Sequence, residues 1–181
     1  MNHEIELERR PSPGALFHAF LATDQSRVLF FQRTVLGGVV LAHGAQKLLG
    51  WFGGYGFDAT VRWFQQALHV PAPVAVLVIL SDSLGSLALV LGLFSRFMAL
   101  GTTLTMLGAI LLFHAPNGFF MNWSGTNAGE GYELHLLALA LSVPLVIRGG
   151  GAWSFDRRLA AWLGQRTPKQ SAELRAASVG G

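Results

Sequence analysis

Apolar residues fall into four long blocks, at about 29–49, 74–94, 97–113 and 132–147, separated by stretches rich in Gly, Asn, Pro and charge. A helix needs about 20 residues to cross the hydrocarbon of a bilayer, with roughly 17 as the lower edge. The first two blocks pass that length. The last two are marginal and gain length if Phe119, Phe120, Trp123, Tyr132 and Trp153 sit at the membrane interfaces. Alternation is absent and Leu and Ala dominate, so strands are not expected. The pattern predicts an all-α membrane protein, a bundle of four transmembrane helices.

Charge sharpens this. Hydrophobic residues make up 51% of the 181-residue chain and charged ones 13%, and between positions 74 and 129 the only charged residues are Asp82 and Arg96. A soluble helix covers its outer face with charge; this region has too little to do so and must face lipid. Arg9, Arg10, Arg27, Arg96, Arg148, Arg157, Arg158, Arg166, Lys169 and Arg175 fall on one side of the predicted spans, against Lys47 and Arg62 on the other. Retention of basic residues in the cytoplasm then places both termini inside, as in a multi-pass protein of a bacterial inner membrane. The basic balance comes from terminal arginines, not from a stripe interleaved with aromatics, so nucleic acid is not an expected partner. Cysteine is absent, which excludes disulfides, CxxC redox pairs, thiolate metal sites and cysteine nucleophiles.

Three regions follow: an N-terminal cytoplasmic arm at 1–28, the membrane domain at 29–156, and a cytoplasmic tail at 157–181. The arm holds a short apolar patch at 15–22, broken by His18. It is too short to span, and it lies behind two prolines without a basic start, so it reads as a segment touching headgroups and not as a cleaved signal peptide. After Gly149-Gly150-Gly151, Ser154 or Asp156 is positioned to cap a short amphipathic helix with Leu159, Trp162 and Leu163 beside Arg157, Arg158 and Arg166. From Thr167 the tail is polar and expected to be disordered. Residues 94–97 make a tight turn between antiparallel neighbours, whereas 50–73 and 115–131 read as long outer loops, the kind that usually carries function. His43 before Gly50-Trp51-Phe52, and His114 before Gly118-Phe119-Phe120, hint at an internal repeat.

Ionisable groups in a bilayer cost about 2.5–3.5 kcal/mol each on insertion scales and need a reason to be there. Arg33, Gly37, Val40, His43 or Gly44, and Lys47 share one stripe of the first helix, which should face the bundle. Asp82, in the middle of the second helix, is expected to be neutral or paired with Arg33 or Lys47, as interhelical glue or as a proton-handling group. Glu133 opens the fourth helix, where the macrodipole also favours an acid. His135, two residues on, should point to the other side. His114 can approach Glu133 across the loop.

His43, His114 and Glu133 are thus the candidate catalytic groups, and Lys47, Trp51, Phe52 and Asp82 the candidate substrate-binding ones, with Phe119 as a further wall. Each histidine also has a plain structural reading as a hydrogen-bonded group. A quinone suits such a pocket: its ring is flat and apolar, and its carbonyls need donors and, on reduction, protons. No metal site is predicted, and haem ligation by two of His43, His114 and His135 lacks any attachment motif.

The chain resembles the DoxX family of small four-helix bacterial membrane proteins. The resemblance spans 33–156. It rests on Arg33-Thr34, His43-Gly44-Ala45-Gln46-Lys47-Leu48, Gly50-Trp51-Phe52-Gly53-Gly54, Asp82 with Gly85, and Gly92-Leu93-Phe94-Ser95-Arg96. His114, Gly118, Tyr132-Glu133 and Gly151-Ala152-Trp153-Ser154-Phe155-Asp156 complete it. It implies a quinone-linked oxidoreductase component of the inner membrane. The family acid in helix two is expected to be glutamate more often than the shorter aspartate found here. Other roles stay open: a scaffold or assembly partner for another redox enzyme, or a small-molecule or lipid carrier. The compatible partners are the bilayer, other redox-enzyme subunits, and copies of the same chain.

Overall fold

In the computed structural model the described residues are 13–163, and all regular structure among them is helical. The helices are α1 (Pro13–Leu21), α2 (Arg27–Leu49), α3 (Phe57–Leu68), α4 (Ala72–Leu91), α5 (Ser95–Asn117), α6 (Glu133–Arg148) and α7 (155–163). The basic residues Arg9, Arg10, Arg166, Lys169 and Arg175, and the polar tail beyond Thr167, lie outside the described residues.

Three helices, α2, α4 and α5, are long and apolar enough to cross a membrane. Each shows an unburied apolar stripe at helical spacing. On α2 it is Val28, Phe31, Val35 and Val39; on α4, Leu77, Leu80, Leu84, Leu87 and Leu91; on α5, Leu100, Leu104, Leu107 and Leu111, the last 75% exposed. In water each such side chain would forgo about 1.5–3 kcal/mol of burial. Three parallel stripes of this kind face lipid, and the chain is a membrane protein.

The opposite faces close the bundle. α2 packs along α4 and against α6, and α5 packs along α6. Leu29, Leu36, Val40, Leu89, Ala99 and Leu145 form the core, filled out by Met98, Met106 and Leu141. Within the predicted stripe of α2 the buried members are Arg33, Gly37, Val40 and Gly44; His43 is exposed. Gly44 is required by contact: a Cβ there would lie 2.0 Å from the Asp82 carbonyl oxygen. The α2–α4 backbones touch at this point, and Asp82 is brought against α2 as a result.

The connection at 50–73 departs from the loop expected of it. It contains a short 3-10 turn at Trp51–Gly53 and then the twelve-residue helix α3, packed on α4 and α2. Phe57, Val61, Phe64 and Leu68 recur at helical spacing, a period hidden among Asp, Arg and Gln in an amphipathic helix. The histidine–glycine repeat does not extend to the loops, because Gly118 leads into irregular chain.

The other end of the bundle is locked by two charged side chains. Arg33, 1% exposed, donates through its guanidinium to the carbonyls of Leu89 (3.2 Å), Val90, Gly150 (2.7 Å), Ala152 (3.3 Å) and Trp153 (3.2 Å). It joins the C-terminal end of α4 to the chain after α6, where free carbonyls collect, and so is not the partner of Asp82. Asp156 accepts from the Phe94 and Ser95 amides at 2.6 and 2.8 Å, capping α5. Ser154 caps α7, accepting from Arg157 N at 3.3 Å. Of the two expected caps, one serves its own helix and the other a neighbour. The same end holds the α1–α2 link: Arg96 donates to the Ala22 carbonyl, and Gly151 N to Thr23 Oγ1.

Candidate functional site

At the opposite end α2, α4, α5 and α6 bring polar side chains together, two of them placed by a wide helical turn. The hydrogen bonding of α4 widens to a π turn at Ser81–Gly85 and that of α5 at Ile110–His114. An extra residue in one turn rotates the helix face that follows, and such turns recur at functional sites. The first contains Asp82 and the second ends on His114.

Asp82 is fully buried and forms an ion pair with the half-buried Lys47 of α2. Its Oδ2 accepts the ammonium, while its Oδ1 is buried without a partner. The imidazole of His114 lies 4.1 Å, centroid to centroid, from that of His135 on α6, tilted by 42°. His135 Nδ1 is likewise buried without a partner. His43 is within electrostatic range of both Asp82 and His135, and Lys47 of His135, so the five side chains form one cluster.

Backbone and amide groups set the histidine tautomers. His114 Nδ1 is 2.8 Å from the Glu130 carbonyl oxygen, which can only accept. The proton therefore sits on Nδ1 and leaves the Nε2 lone pair available. His43 Nδ1 lies 3.2 Å from Gln46 Oε1, and the Gln46 amide nitrogen donates to the Phe52 carbonyl at 3.3 Å. That fixes the amide orientation and gives His43 the same tautomer.

The remaining candidates lie at the rim. Glu133 makes no ion pair with His114; its carboxylate accepts the Met121 amide at 3.1 Å, while Glu130 accepts Asn122 N at 2.7 Å. The two acids pin the 118–131 loop. Trp51 and Phe52, 60% and 72% exposed, pack edge-to-face on each other. Phe119 does the same with Phe120 and Tyr132. The aromatic wall that touches the histidines is instead Trp63 of α3, edge-on to Phe113, which is edge-on to His114.

His135, Gln46 and Trp63 are thus site residues that the sequence did not single out. His135 was readable as a third histidine at the same end of the bundle. Trp63 required recognition of α3, and Gln46 stood in the His43–Leu48 motif without a role attached to it. Among the described residues no group of three or more His, Asp or Glu has the arrangement to hold a metal ion.

Residues 28–115, from the start of α2 to the end of the wide turn in α5, match the family model for DoxX. The match supports membership of the DoxX family. It covers Arg33, His43, Lys47, Asp82 and His114 and stops before His135 and the Gly151–Asp156 segment, so half of the histidine pair and the Asp156 half of the lock at the other end lie beyond it. No curated protein and no solved structure matches the chain.

Proposed function

We propose that this chain is a quinone-linked component of a bacterial inner-membrane oxidoreductase, with four spans and both termini inside. Arg27, Arg96, Arg148, Arg157 and Arg158 gather at the end tied together by Arg33 and Asp156, which favours that end as the cytoplasmic one. The cluster then lies near the outer surface.

The observation that carries the quinone reading is the pair of buried polar atoms without partners, Asp82 Oδ1 and His135 Nδ1, in one cluster at the edge of the hydrocarbon. Buried polar atoms are normally satisfied, and both orphans belong to side chains within electrostatic range of His43 and Lys47, which favours a polar ligand beside them. The residues present suit a quinone headgroup. Lys47 and His135 would hold its oxygens, and Trp63 and Phe113 would flank a flat ring. A bound quinone supplies two-electron redox chemistry, which a chain without cysteine cannot supply alone. His114 and His43, fixed as Nδ1–H tautomers, each keep Nε2 free to take and return a proton. Asp82 offsets the charge of Lys47, and Glu133 and Glu130 hold the loop beside His114.

Purification of the full chain in mild detergent, with solvent extraction and titration of a ubiquinone analogue, tests this. Quinone should be recovered from the parent, and His135→Ala and His43→Ala should each weaken analogue binding at least tenfold with the bundle still folded. Parental binding by both variants would overturn the site. It would leave the scaffold reading, for which the exposed Phe120 and Trp123 (70% and 83%) offer a docking surface.

A further inference from the structure

The inner end carries a concave feature, away from the histidine cluster. An open pocket of about 270 Å³ is lined by Trp153, Ser154, Arg157, Arg158 and Ala161. Its walls are held firmly. The Asp156 amide donates to the Gly92 carbonyl at 3.0 Å while its carboxylate caps α5. Ser154 caps α7, and Trp153 packs edge-to-face on Phe30 of α2 at 4.9 Å. The arginines are therefore presented by a helix clamped to the bundle.

Two chemical features meet there. Arg157 and Arg158 have no acidic partner among the described residues. Their neighbour Asp156 is buried and turned to the α5 amides. Beside them, the outward face of α7 is apolar and aromatic: Phe155, with the Arg158 guanidinium 5.6 Å above its ring, and the exposed Trp162 two turns along. A soluble anion would use the arginines and leave the rings in water. A lipid surface uses both, with rings at the level of the acyl–headgroup boundary and guanidinium groups at the phosphates.

We propose that this pocket is a binding site for the headgroup of an anionic phospholipid, with Arg157 and Arg158 as its phosphate ligands and Trp153 as its apolar wall. Two cations without counter-charges among the described residues select a net-negative headgroup over a zwitterionic one. The site rests on the membrane-spanning reading of α2, α4 and α5 and is independent of the quinone.

Native mass spectrometry of the full chain in detergent, offered equal amounts of phosphatidylglycerol and phosphatidylcholine, tests it. The parent should retain phosphatidylglycerol in preference. Arg157→Gln and Arg158→Gln should each cut that preference roughly fivefold, and the doubly Lys-substituted protein should keep most of it. Equal retention of the two lipids by the parent, or undiminished preference in both Gln variants, would overturn the proposal. So would displacement of the lipid by millimolar glycerol phosphate, which would mark a site for a soluble phosphate. Ubiquinone-analogue binding in the same Gln variants should stay parental, so failure here is distinct from failure of the quinone site.

Discussion

The ammonium of Lys47 on α2 meets the carboxylate of Asp82 in the π turn of α4, and one carboxylate oxygen is left over, buried and without a donor. In the proposed site that oxygen is the one left for a ligand. A carboxylate used only as glue would be expected to satisfy both oxygens, because each orphan in a dry interior costs about 1–3 kcal/mol.

Removing one member should expose that asymmetry. Asp82→Leu leaves the Lys47 charge stranded and should lower unfolding stability in detergent by about 1–3 kcal/mol, with Asp82→Asn milder. Lys47→Met combined with Asp82→Leu should recover most of the loss, since an ion pair replaced by apolar groups is often near neutral. A double-mutant cycle on chemical unfolding reads the coupling directly. Additive single effects would mean that the two side chains do not interact.

Gly44 and Gly38 give a matched pair on the same helix. A Cβ at Gly44 would meet the Asp82 backbone at 2.0–2.4 Å, whereas one at Gly38 would meet nothing within 4 Å. Gly44→Ala should therefore cost about 1–3 kcal/mol by forcing α2 from α4. Gly38→Ala should be neutral or stabilising, by up to about 1 kcal/mol, through helix propensity. Thermal unfolding of both variants checks it, and equal effects would contradict the close packing of α2 on α4.

Much of this fold was legible because lipid imposes a coarse rule. The four apolar blocks coincide with α2, α4, α5 and α6 to within a few residues, and the α2 stripe correctly turned Arg33, Gly37 and Gly44 inward. What escaped was set by packing. The wide turns that place Asp82 and His114 have no local signature, because the extra residue is accommodated by neighbouring helices. His135 was set aside because it points away from Glu133, yet His114 meets His135, and Glu133 is drawn off to the Met121 amide. Arg33 shared a stripe with Lys47, but nearly four turns of helix separate them, and only the three-dimensional path of the chain after α6 adds three carbonyls to the two of α4 around its guanidinium.

Arg33 should be hard to replace, even by lysine. Guanidinium has five N–H donors in a planar fork, and ammonium has three. Arg33→Lys strands at least two of the five carbonyls and should destabilise by about 2 kcal/mol or more. Asp156→Ala removes the α5 cap at the same end and should cost about 0.5–2 kcal/mol. Unfolding in detergent should show both losses, with ubiquinone-analogue binding by the folded protein unchanged because the proposed quinone site lies at the far end.

The fourth span is the element on which topology turns. α6 has 16 residues, about 24 Å of helix against roughly 30 Å of hydrocarbon, and Pro144 lies inside it. Two features favour a crossing all the same. Its N-terminal end is extended by the 118–131 loop, held to it by Glu133 and by backbone bonds from Tyr132 and Glu133 to Gly118 and Phe119. Its C-terminal end meets the Arg33 hub, where Trp153 and Arg148 are residue types that anchor a span at the interface. Because the chain has no cysteine, single-cysteine labelling gives a clean readout. In intact cells opened only at the outer membrane, an impermeant maleimide should label Tyr55→Cys and Asn127→Cys, and should label Ser171→Cys only after the inner membrane is permeabilised. Labelling at Ser171 before permeabilisation, with Tyr55 still accessible, would mean that α6 does not cross. The chain would then have three spans, with its C-terminal tail on the same side as Tyr55.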